Sequence, residues 1–118
     1  MLEQQEITKK YIHPGECPIT VTIDVIGGKW KPIIIWLLMR GPIRFGDLHR
    51  MIQGIALKVL SRQLKELEAD GILIRTAYPE VPPRVEYSLS KKGESLRELM
   101  QMMSEWSSEH ILGAEVVT

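Results

Sequence analysis

Residues 45–70, FGDLHRMIQGIALKVLSRQLKELEAD, form the most informative stretch of this 118-residue sequence. The pattern predicts a short helix over residues 45–52, a glycine turn at Gly54, and a longer helix from Ala56 to Asp70 that ends at Gly71. Leucines spaced three or four residues apart share one face of this second helix: Leu57, Leu60, Leu64 and Leu67. The opposite face carries Lys58, Val59, Arg62, Lys65 and Glu66.

This charge distribution has two interpretations. A compact helix–turn–helix with a cationic outer face on its second helix fits the major groove of DNA. An amphipathic helical hairpin whose charged face is only solvated would show the same pattern. Both interpretations fit the segment by itself.

Composition restricts the class of protein. The chain is 44% hydrophobic, enough to bury the core of one domain. Its longest apolar run, residues 32–39, is well short of the roughly 18 residues that cross a bilayer. The first 16 residues lack the apolar core of a signal peptide. The single cysteine, Cys17, excludes an internal disulfide and fits a reducing cytoplasm. Together these features predict a cytoplasmic protein without a membrane partner.

Charge is balanced overall but unevenly distributed. The chain has 15 basic and 15 acidic side chains. Residues 21–92 carry 12 basic and 7 acidic side chains, a net charge of +5, and the two ends together carry 3 and 8. Since nucleic-acid affinity depends on local positive potential, this asymmetry is compatible with DNA binding.

Two further helices are predicted before the central stretch. Isoleucines at helical spacing in residues 19–26 precede a Gly-Gly pair, which indicates a short helix with a glycine stop. Pro32 suits the first turn of the next helix, which runs to Arg40 and ends at a Gly-Pro pair. Its sequence, KPIIIWLLMR, is apolar nearly all round, so we expect it to be the central core helix.

The residue pattern changes after Gly71. Residues 72–78, ILIRTAY, are rich in β-branched and aromatic residues, and residues 84–89, RVEYSL, alternate in polarity. A proline-rich loop over residues 79–83 joins them. We therefore predict a mainly α fold with a small β-hairpin wing, a winged helix–turn–helix, in which Arg75 and Arg84 are the cations of the wing.

A final helix is predicted from Ser90, a plausible N-cap, to about His110. Its apolar stripe is Leu96, Leu99, Met100, Met103 and Trp106. The stripe could pack against the chain's own N-terminal arm or against a second copy. We favour a homodimer, because duplex sites bound by such modules commonly have two-fold symmetry. The expected organisation is an arm over residues 1–15, a DNA-binding domain over 16–90, and a dimerisation helix with a tail over 91–118.

Five strings, in order and at suitable spacing, resemble the HxlR-type regulators, winged helix–turn–helix proteins related to the MarR group. They lie within residues 16–106: Cys17-Pro18, residues 26–31 (IGGKWK), 44–48 (RFGDL), 60–71 (LSRQLKELEADG) and 82–90 (PPRVEYSLS). The resemblance implies a cytoplasmic prokaryotic DNA-binding homodimer with terminal helices at the dimer contact. It also implies a second helix in the major groove and a wing on the phosphate backbone or minor groove. One departure is Ala56, where the family usually has Ser or Thr before the lysine.

Candidate DNA-contacting residues lie on the second helix and around the wing. Arg62 suits bidentate bonding to guanine, Lys58 suits a phosphate or base edge, and Val59 suits a thymine methyl group. Other candidates on this helix are Ala56 and Gln63. Backbone candidates are Arg75, Arg84, Lys91 and Lys29. For the two surface cations Lys58 and Arg62, the alternative is an ordinary solvated face.

Two lysine pairs suggest further phosphate contacts. Lys91 and Lys92 lie in the first turn of the last helix, where the helix dipole disfavours cations, so an external anion or two tolerated surface lysines would explain them. Lys29 and Lys31 flank Trp30 at a helix entrance and could anchor another phosphate, whereas Trp30 is expected in the core.

Cys17 precedes Pro18 and a predicted helix, whose positive end would favour the thiolate. The family resemblance implies a sensor of oxidants or electrophiles, since some relatives use a cysteine at this position. A half-buried thiol with no chemical role is the alternative.

Signatures of an enzyme are missing from the sequence. No GxxxxGK[ST] loop surrounds Lys29, and His13, His49 and His110 lack zinc-ligand spacing with Cys17. We therefore expect no catalysis, no metal and no cofactor.

The expected function is a sequence-specific regulator, a repressor, that binds an inverted-repeat operator in double-stranded DNA as a homodimer. An electrophile at Cys17, or a small apolar ligand between the terminal and core helices, would change the separation of the two recognition helices. The alternative class is a winged-helix protein-interaction module that does not bind DNA.

Overall fold

The computed structural model describes residues 12–113, so most of the predicted arm and the end of the tail lie outside the described residues. The helices are α1 (Pro18–Ile26), α2 (Lys31–Leu38), α3 (Phe45–Met51), α4 (Leu57–Ala69), α5 (Lys91–Glu94) and α6 (Arg97–Ser107). A 3-10 turn at Pro14–Glu16 precedes them and a π-helical turn at Ser108–Leu112 follows. The strands are β1 (Ile43–Arg44), β2 (Leu73–Tyr78) and β3 (Arg84–Leu89).

The wing is the antiparallel hairpin of β2 and β3, as the sequence predicts. Leu73 pairs with Leu89 at one end and Tyr78 with Arg84 at the other. The third strand, β1, is not predicted from the sequence; it pairs with the other edge of β3, giving the order β1-β3-β2. β1 has only two residues, too few for an alternating pattern to show. The fold is a winged helix–turn–helix, mainly helical with a small antiparallel sheet.

The core lies between α2, α4 and the inner face of the sheet. Leu60, Leu64 and Leu67 of α4 are 0% exposed and share a cluster with three fully buried residues of α2, which are Ile34, Ile35 and Leu38. This confirms α2 as the core helix, although Ile33 lies on an exposed side of it. The prediction for Leu57 is wrong: it is 55% exposed, because it is the first residue of α4 and precedes the turn that packs on the core.

Helix α1 forms where predicted and ends at Gly27, but most of its isoleucines do not enter the core. Ile26 is buried, whereas Ile19 and Ile23 are exposed. Their helical spacing therefore produces an apolar outer face on α1.

The predicted C-terminal helix starts correctly but is not continuous. Ser90 is its N-cap, since its Oγ accepts from the backbone N–H of Gly93 at 2.9 Å. The backbone N–H of Leu96 then donates to the Gly93 carbonyl at 3.0 Å, an i to i−3 bond that tightens the chain into a turn. Helix α6 begins after this turn, and the Arg97 guanidinium donates to the Met39 carbonyl at 2.9 Å. The break therefore redirects α6 toward the end of α2.

The segment before this break is fastened to the end of α4. The Ser90 backbone N–H donates to the Ile72 carbonyl at 2.9 Å, and the Lys92 ammonium donates to the Asp70 carbonyl at 2.8 Å. Gly93 lies so close that an added Cβ would be 2.3 Å from the Ile72 carbonyl oxygen. Only glycine fits at position 93 without displacing a neighbour, because a side chain would overlap the Ile72 carbonyl.

We expect Gly93→Ala to lower the free energy of unfolding by about 1–3 kcal/mol, because the new methyl group must push the two segments apart. Gly46→Ala is the matched control: it also lies in a helix, but its Cβ would approach no neighbour closer than 3.7 Å. The control should change stability by at most about 1 kcal/mol, in the stabilising direction. Urea unfolding followed by circular dichroism measures both, and equal stability of the two variants would contradict the packing described here.

Candidate nucleic-acid interface

The outer face of α4 is formed by side chains opposite the buried leucines. Lys58 and Arg62 are exposed and lie one turn apart, as predicted, and Ala56 is exposed at the start of the helix. Gln63 is half-buried. Val59 was predicted to point outward, but it is partly buried and packs against the core, which limits the surface that it offers to a ligand.

The turn before α4 holds its first residues without a side-chain cap. Gly54 has a φ of +87°, a left-handed conformation that glycine adopts without strain. Ala56 is the N-cap residue, with extended backbone, and its methyl group cannot accept a hydrogen bond. Nε2 of His49, on α3, lies 3.1 Å from the carbonyl oxygen of Ile55. It donates a hydrogen bond to this oxygen in the tautomer that is protonated at Nε2. His49, which sequence reasoning did not single out, therefore helps to fix this turn.

An open groove, here called the basic groove, runs between α3, α4 and the wing. Its lining contains five basic and two acidic side chains, namely Arg44, Arg50, Lys65, Arg75, Arg84, Asp47 and Glu80. Ser61 of α4 contributes a hydroxyl. One of the acidic groups, Asp47, is ion-paired with Arg50. The groove therefore combines excess positive charge with access from solvent.

Sequence reasoning missed Arg44 and Arg50, which are far from the wing in the sequence. The pairing of β1 with β3 brings them close to it, with Arg44 opposite Glu86. The available signal was an arginine at each end of the short helix α3, Arg44 at its N-cap and Arg50 in its last turn. These arginines can be assigned to the same surface as the wing only once the strand order is known.

The two predicted wing cations have different surroundings. Arg84 is ion-paired with Glu80 at 2.8 Å and Glu86 at 3.2 Å, and its guanidinium lies 3.8 Å from the centre of the Tyr78 ring. Its charge is therefore balanced within the wing, where it braces the hairpin. Arg75 on β2 is exposed and lines the basic groove.

Two of the lysines suggested for phosphate binding are engaged inside the molecule. The phosphate hypothesis for Lys31 is wrong, because its side chain is buried and its Nζ lies 2.6 Å from Oε1 of Glu66. Lys92 is exposed, and its ammonium donates to the Asp70 carbonyl at the C-terminus of α4 at 2.8 Å, where the helix dipole favours a cation. This contact accounts for Lys92 without an external anion, so the phosphate contact stays a prediction.

Lys91, which precedes Lys92 in the sequence, is exposed. Lys29 is exposed and lies 4.8 Å over the Trp30 ring, and Trp30 packs against the core as expected.

The Lys31–Glu66 ion pair joins α2 to α4. The pKa of Glu66 is lowered from its ordinary value of 4.5, chiefly by the hydrogen bond and then by the charge of Lys31, with a smaller contribution from the charge of Arg62. Glu66 is therefore ionised at neutral pH, next to two cations.

Cys17 occupies the N-cap position of α1, with φ −81° and ψ 118°, and Pro18 follows as the first helical residue. Its side chain is half-buried. The backbone N–H of Val21 donates to its carbonyl at 3.0 Å. The thiol is therefore at the positive end of a helix, the location expected from the sequence.

The stripe predicted for dimerisation divides into two parts. Met100 is buried in the chain's own core, so the prediction that it forms a surface for a partner is wrong. Leu96 is half-buried and packs against the same core, which limits the surface that it offers to a partner. Leu99, Met103 and Trp106 are exposed. Near them lies an apolar depression of about 420 Å³ between α1, α2 and α6, lined by Ile23, Ile26, Gly27, Pro32, Ile33, Trp36, Met100, Met103 and Ser104.

Within residues 12–113, no group of three or more His, Cys, Asp or Glu side chains is arranged to hold a metal ion. The same stretch contains no helix with the length and apolar character needed to span a membrane.

Comparison with known families identifies the chain. Residues 25–114 match the HxlR-like helix-turn-helix family. The chain belongs to this family. It is 48% identical over 96 residues to MalR, a proposed regulatory protein of Fusobacterium mortiferum, covering 80% of this chain and 91% of that protein. It is 46% identical over 100 residues to YybR, an uncharacterised HTH-type transcriptional regulator of Bacillus subtilis, covering 83% and 80%.

Solved structures agree. The redox regulator HypR in its oxidised form superposes with a TM-score of 0.75 at 45% identity, covering 80% of this chain and 97% of HypR. HypR in its reduced form gives a TM-score of 0.76 at 43% identity, covering 81% and 97%. The chain is therefore a DNA-binding transcriptional regulator of the HxlR and MarR type, and not an enzyme.

Proposed function

We propose that this chain is a repressor that binds an inverted-repeat operator as a homodimer, with α4 as the recognition helix. The observation that carries the proposal is the division of α4 into a fully buried leucine face and an outer face with Lys58 and Arg62 exposed. A helix held in this way presents its cations at a fixed rotation, as contacts with base edges in the major groove require.

Arg62 is the residue we assign to base recognition. It is exposed near the middle of α4, and its planar guanidinium can donate two hydrogen bonds to O6 and N7 of one guanine. Lys58, one turn nearer the N-terminus, would contact a phosphate or a base edge. Ala56, Val59 and Gln63 would contribute smaller contacts, since Val59 and Gln63 are half-buried.

The basic groove is the surface we assign to the phosphate backbone. Arg44, Lys65 and Arg75 are exposed and line it, one each from β1, α4 and β2. Positive side chains in an open groove release counterions when a phosphate strand enters. Arg84 would act indirectly by bracing the wing, and Lys29 and Lys91 would be outlying cations.

The partner that completes the homodimer would cover the exposed apolar side chains of α1 and α6. Ile19 and Ile23 lie on α1, and Leu99, Met103 and Trp106 lie on α6, with Trp106 58% exposed. Contiguous apolar surface of this kind marks an interaction site. A small apolar ligand in the adjoining depression would alter the separation of the two recognition helices.

We expect Arg62→Ala and Arg75→Ala to affect DNA binding in different ways. Arg62→Ala should weaken binding to a duplex selected from a random-sequence pool by about tenfold to a hundredfold, and should hardly change binding to a shuffled duplex. Arg75→Ala should weaken both duplexes alike and reduce the slope of log affinity against log salt by about one. Gel shifts at several salt concentrations measure both effects.

Arg40→Ala is the control, because Arg40 is exposed at the end of α2 and does not line the basic groove. If both test variants lose equal affinity for both duplexes, the division into base and backbone contacts is wrong. If the chain prefers no duplex and its binding shows no salt dependence, the protein-interaction alternative replaces the regulator.

We further propose that Cys17 makes DNA binding responsive to electrophiles or oxidants. The support is its place at the N-terminus of α1, where the helix dipole favours thiolate, and the similarity to a redox regulator solved in two oxidation states. Thiolate addition to an electrophile would change the size and polarity of a group next to the apolar face of α1.

Treatment with diamide or methylglyoxal should change the affinity of the wild type for the selected duplex, and Cys17→Ser should abolish the change. Since Cys17 is the only cysteine, the variant removes all thiol chemistry from the chain. Gel shifts before and after treatment, with mass spectrometry of the adduct, make the measurement. An equal response of the wild type and Cys17→Ser would refute the sensor.

A further inference from the structure

Among residues 12–113, Lys31 is the only charged residue that is buried. It lies at the first position of α2, and its side chain is 11% exposed. Its Nζ reaches Oε1 of Glu66 at 2.6 Å, although Glu66 itself is 48% exposed. A buried ammonium therefore holds the carboxylate of a surface residue of α4.

A buried lysine adds little to packing that an apolar side chain of similar volume would not supply. Desolvating an ammonium is costly, and apolar residues of similar volume often replace buried ions without loss of stability. Methionine would fill much of the same space. The presence of Lys31 therefore calls for an explanation other than core stability.

Glu66 has a second cation within reach. Arg62 precedes it by four residues on α4, a spacing at which oppositely charged side chains pair on a helix surface. The Arg62 charge already acts on the Glu66 carboxylate. Since both side chains are exposed, a Glu66 released from Lys31 could rotate to meet the guanidinium.

We propose that Lys31 is a positioning residue for DNA binding: by holding Glu66 against α2, it keeps that carboxylate from pairing with Arg62. Arg62 then keeps its donors available for a guanine edge. This inference rests on the proposed function, because it assumes that Arg62 contacts DNA.

The test compares Lys31→Met alone with two double variants of equal net charge. Lys31→Met should weaken binding to the selected duplex by about twofold to fivefold, the range of one surface ion pair. Lys31→Met with Glu66→Gln should restore wild-type affinity, because the competing carboxylate is gone. Lys31→Met with Glu68→Gln is the matched control; Glu68 is exposed on the same helix, and its removal should not restore binding.

The outcomes separate the explanations. Restoration of binding by Glu66→Gln alone, with no matching rise in the melting temperature, supports the inference, since relief of an unpaired carboxylate in a structural ion pair would raise stability as well. Equal restoration by both double variants means that only overall charge matters and overturns it. In an Arg62→Ala background, Lys31→Met should cause no further loss of affinity for the selected duplex. A full additional loss of that affinity would also overturn the inference.

A single substitution keeps the inference testable if Lys31→Met unfolds, which thermal melting would show. Glu66→Gln with Lys31 intact should bind the selected duplex at least as tightly as Glu68→Gln does. Weaker binding would make the pair a brace for α4 and contradict the inference. If Arg62→Ala itself leaves selected-duplex binding unchanged, the proposed function fails; if Arg62→Ala weakens binding and Lys31→Met does not, only this inference fails.

Discussion

The rotation of α4 about its own axis is the constraint on which the rest of the interface depends. Leu60, Leu64 and Leu67 are completely buried, and removing one such side chain typically costs about 2–5 kcal/mol. Ion pairs on an exposed helix face contribute about 0–1 kcal/mol each. Burial of the leucines therefore decides which way α4 faces, and the outward position of Lys58 and Arg62 follows from it.

The two ends of α4 are held in different ways. Its N-terminus has no capping side chain at Ala56 and depends on a turn fixed by His49. Its C-terminus is fastened to the start of the C-terminal helices, where Ser90 and Lys92 donate to carbonyls at the end of α4 and just beyond it. Because these contacts join α4 to the segment that leads into α6, the proposed recognition helix and the helix with the exposed apolar face form one connected unit. A displacement of α6 would therefore be transmitted to α4 through this junction.

Much of this arrangement could be predicted from local patterns, and the parts that could not depend on contacts distant in sequence. Apolar spacing together with glycine and proline stops gives α1 to α4 and the wing, although the apolar face of α1 is exposed rather than buried. The exposure of Leu57 was mispredicted, since periodicity does not show where a helix first meets the core. The partners of Lys31 and Lys92 lie on other elements, and Arg84 meets Glu80 and Tyr78 only when the hairpin folds back on itself, so the sequence does not show these contacts. The basic groove depends on the pairing of β1 with β3, which two residues cannot signal.

If α4 enters the major groove and Arg62 donates to guanine there, modification of that guanine edge should block binding. Methylation interference on the selected duplex measures this, because methylation at guanine N7 blocks the atom that Arg62 would contact without altering the minor groove. Interference should occur at guanines related by the two-fold axis of the site, and it should be lost at those positions in Arg62→Ala. Interference confined to adenine N3 in the minor groove, or an unchanged guanine pattern in the variant, would contradict this role of Arg62.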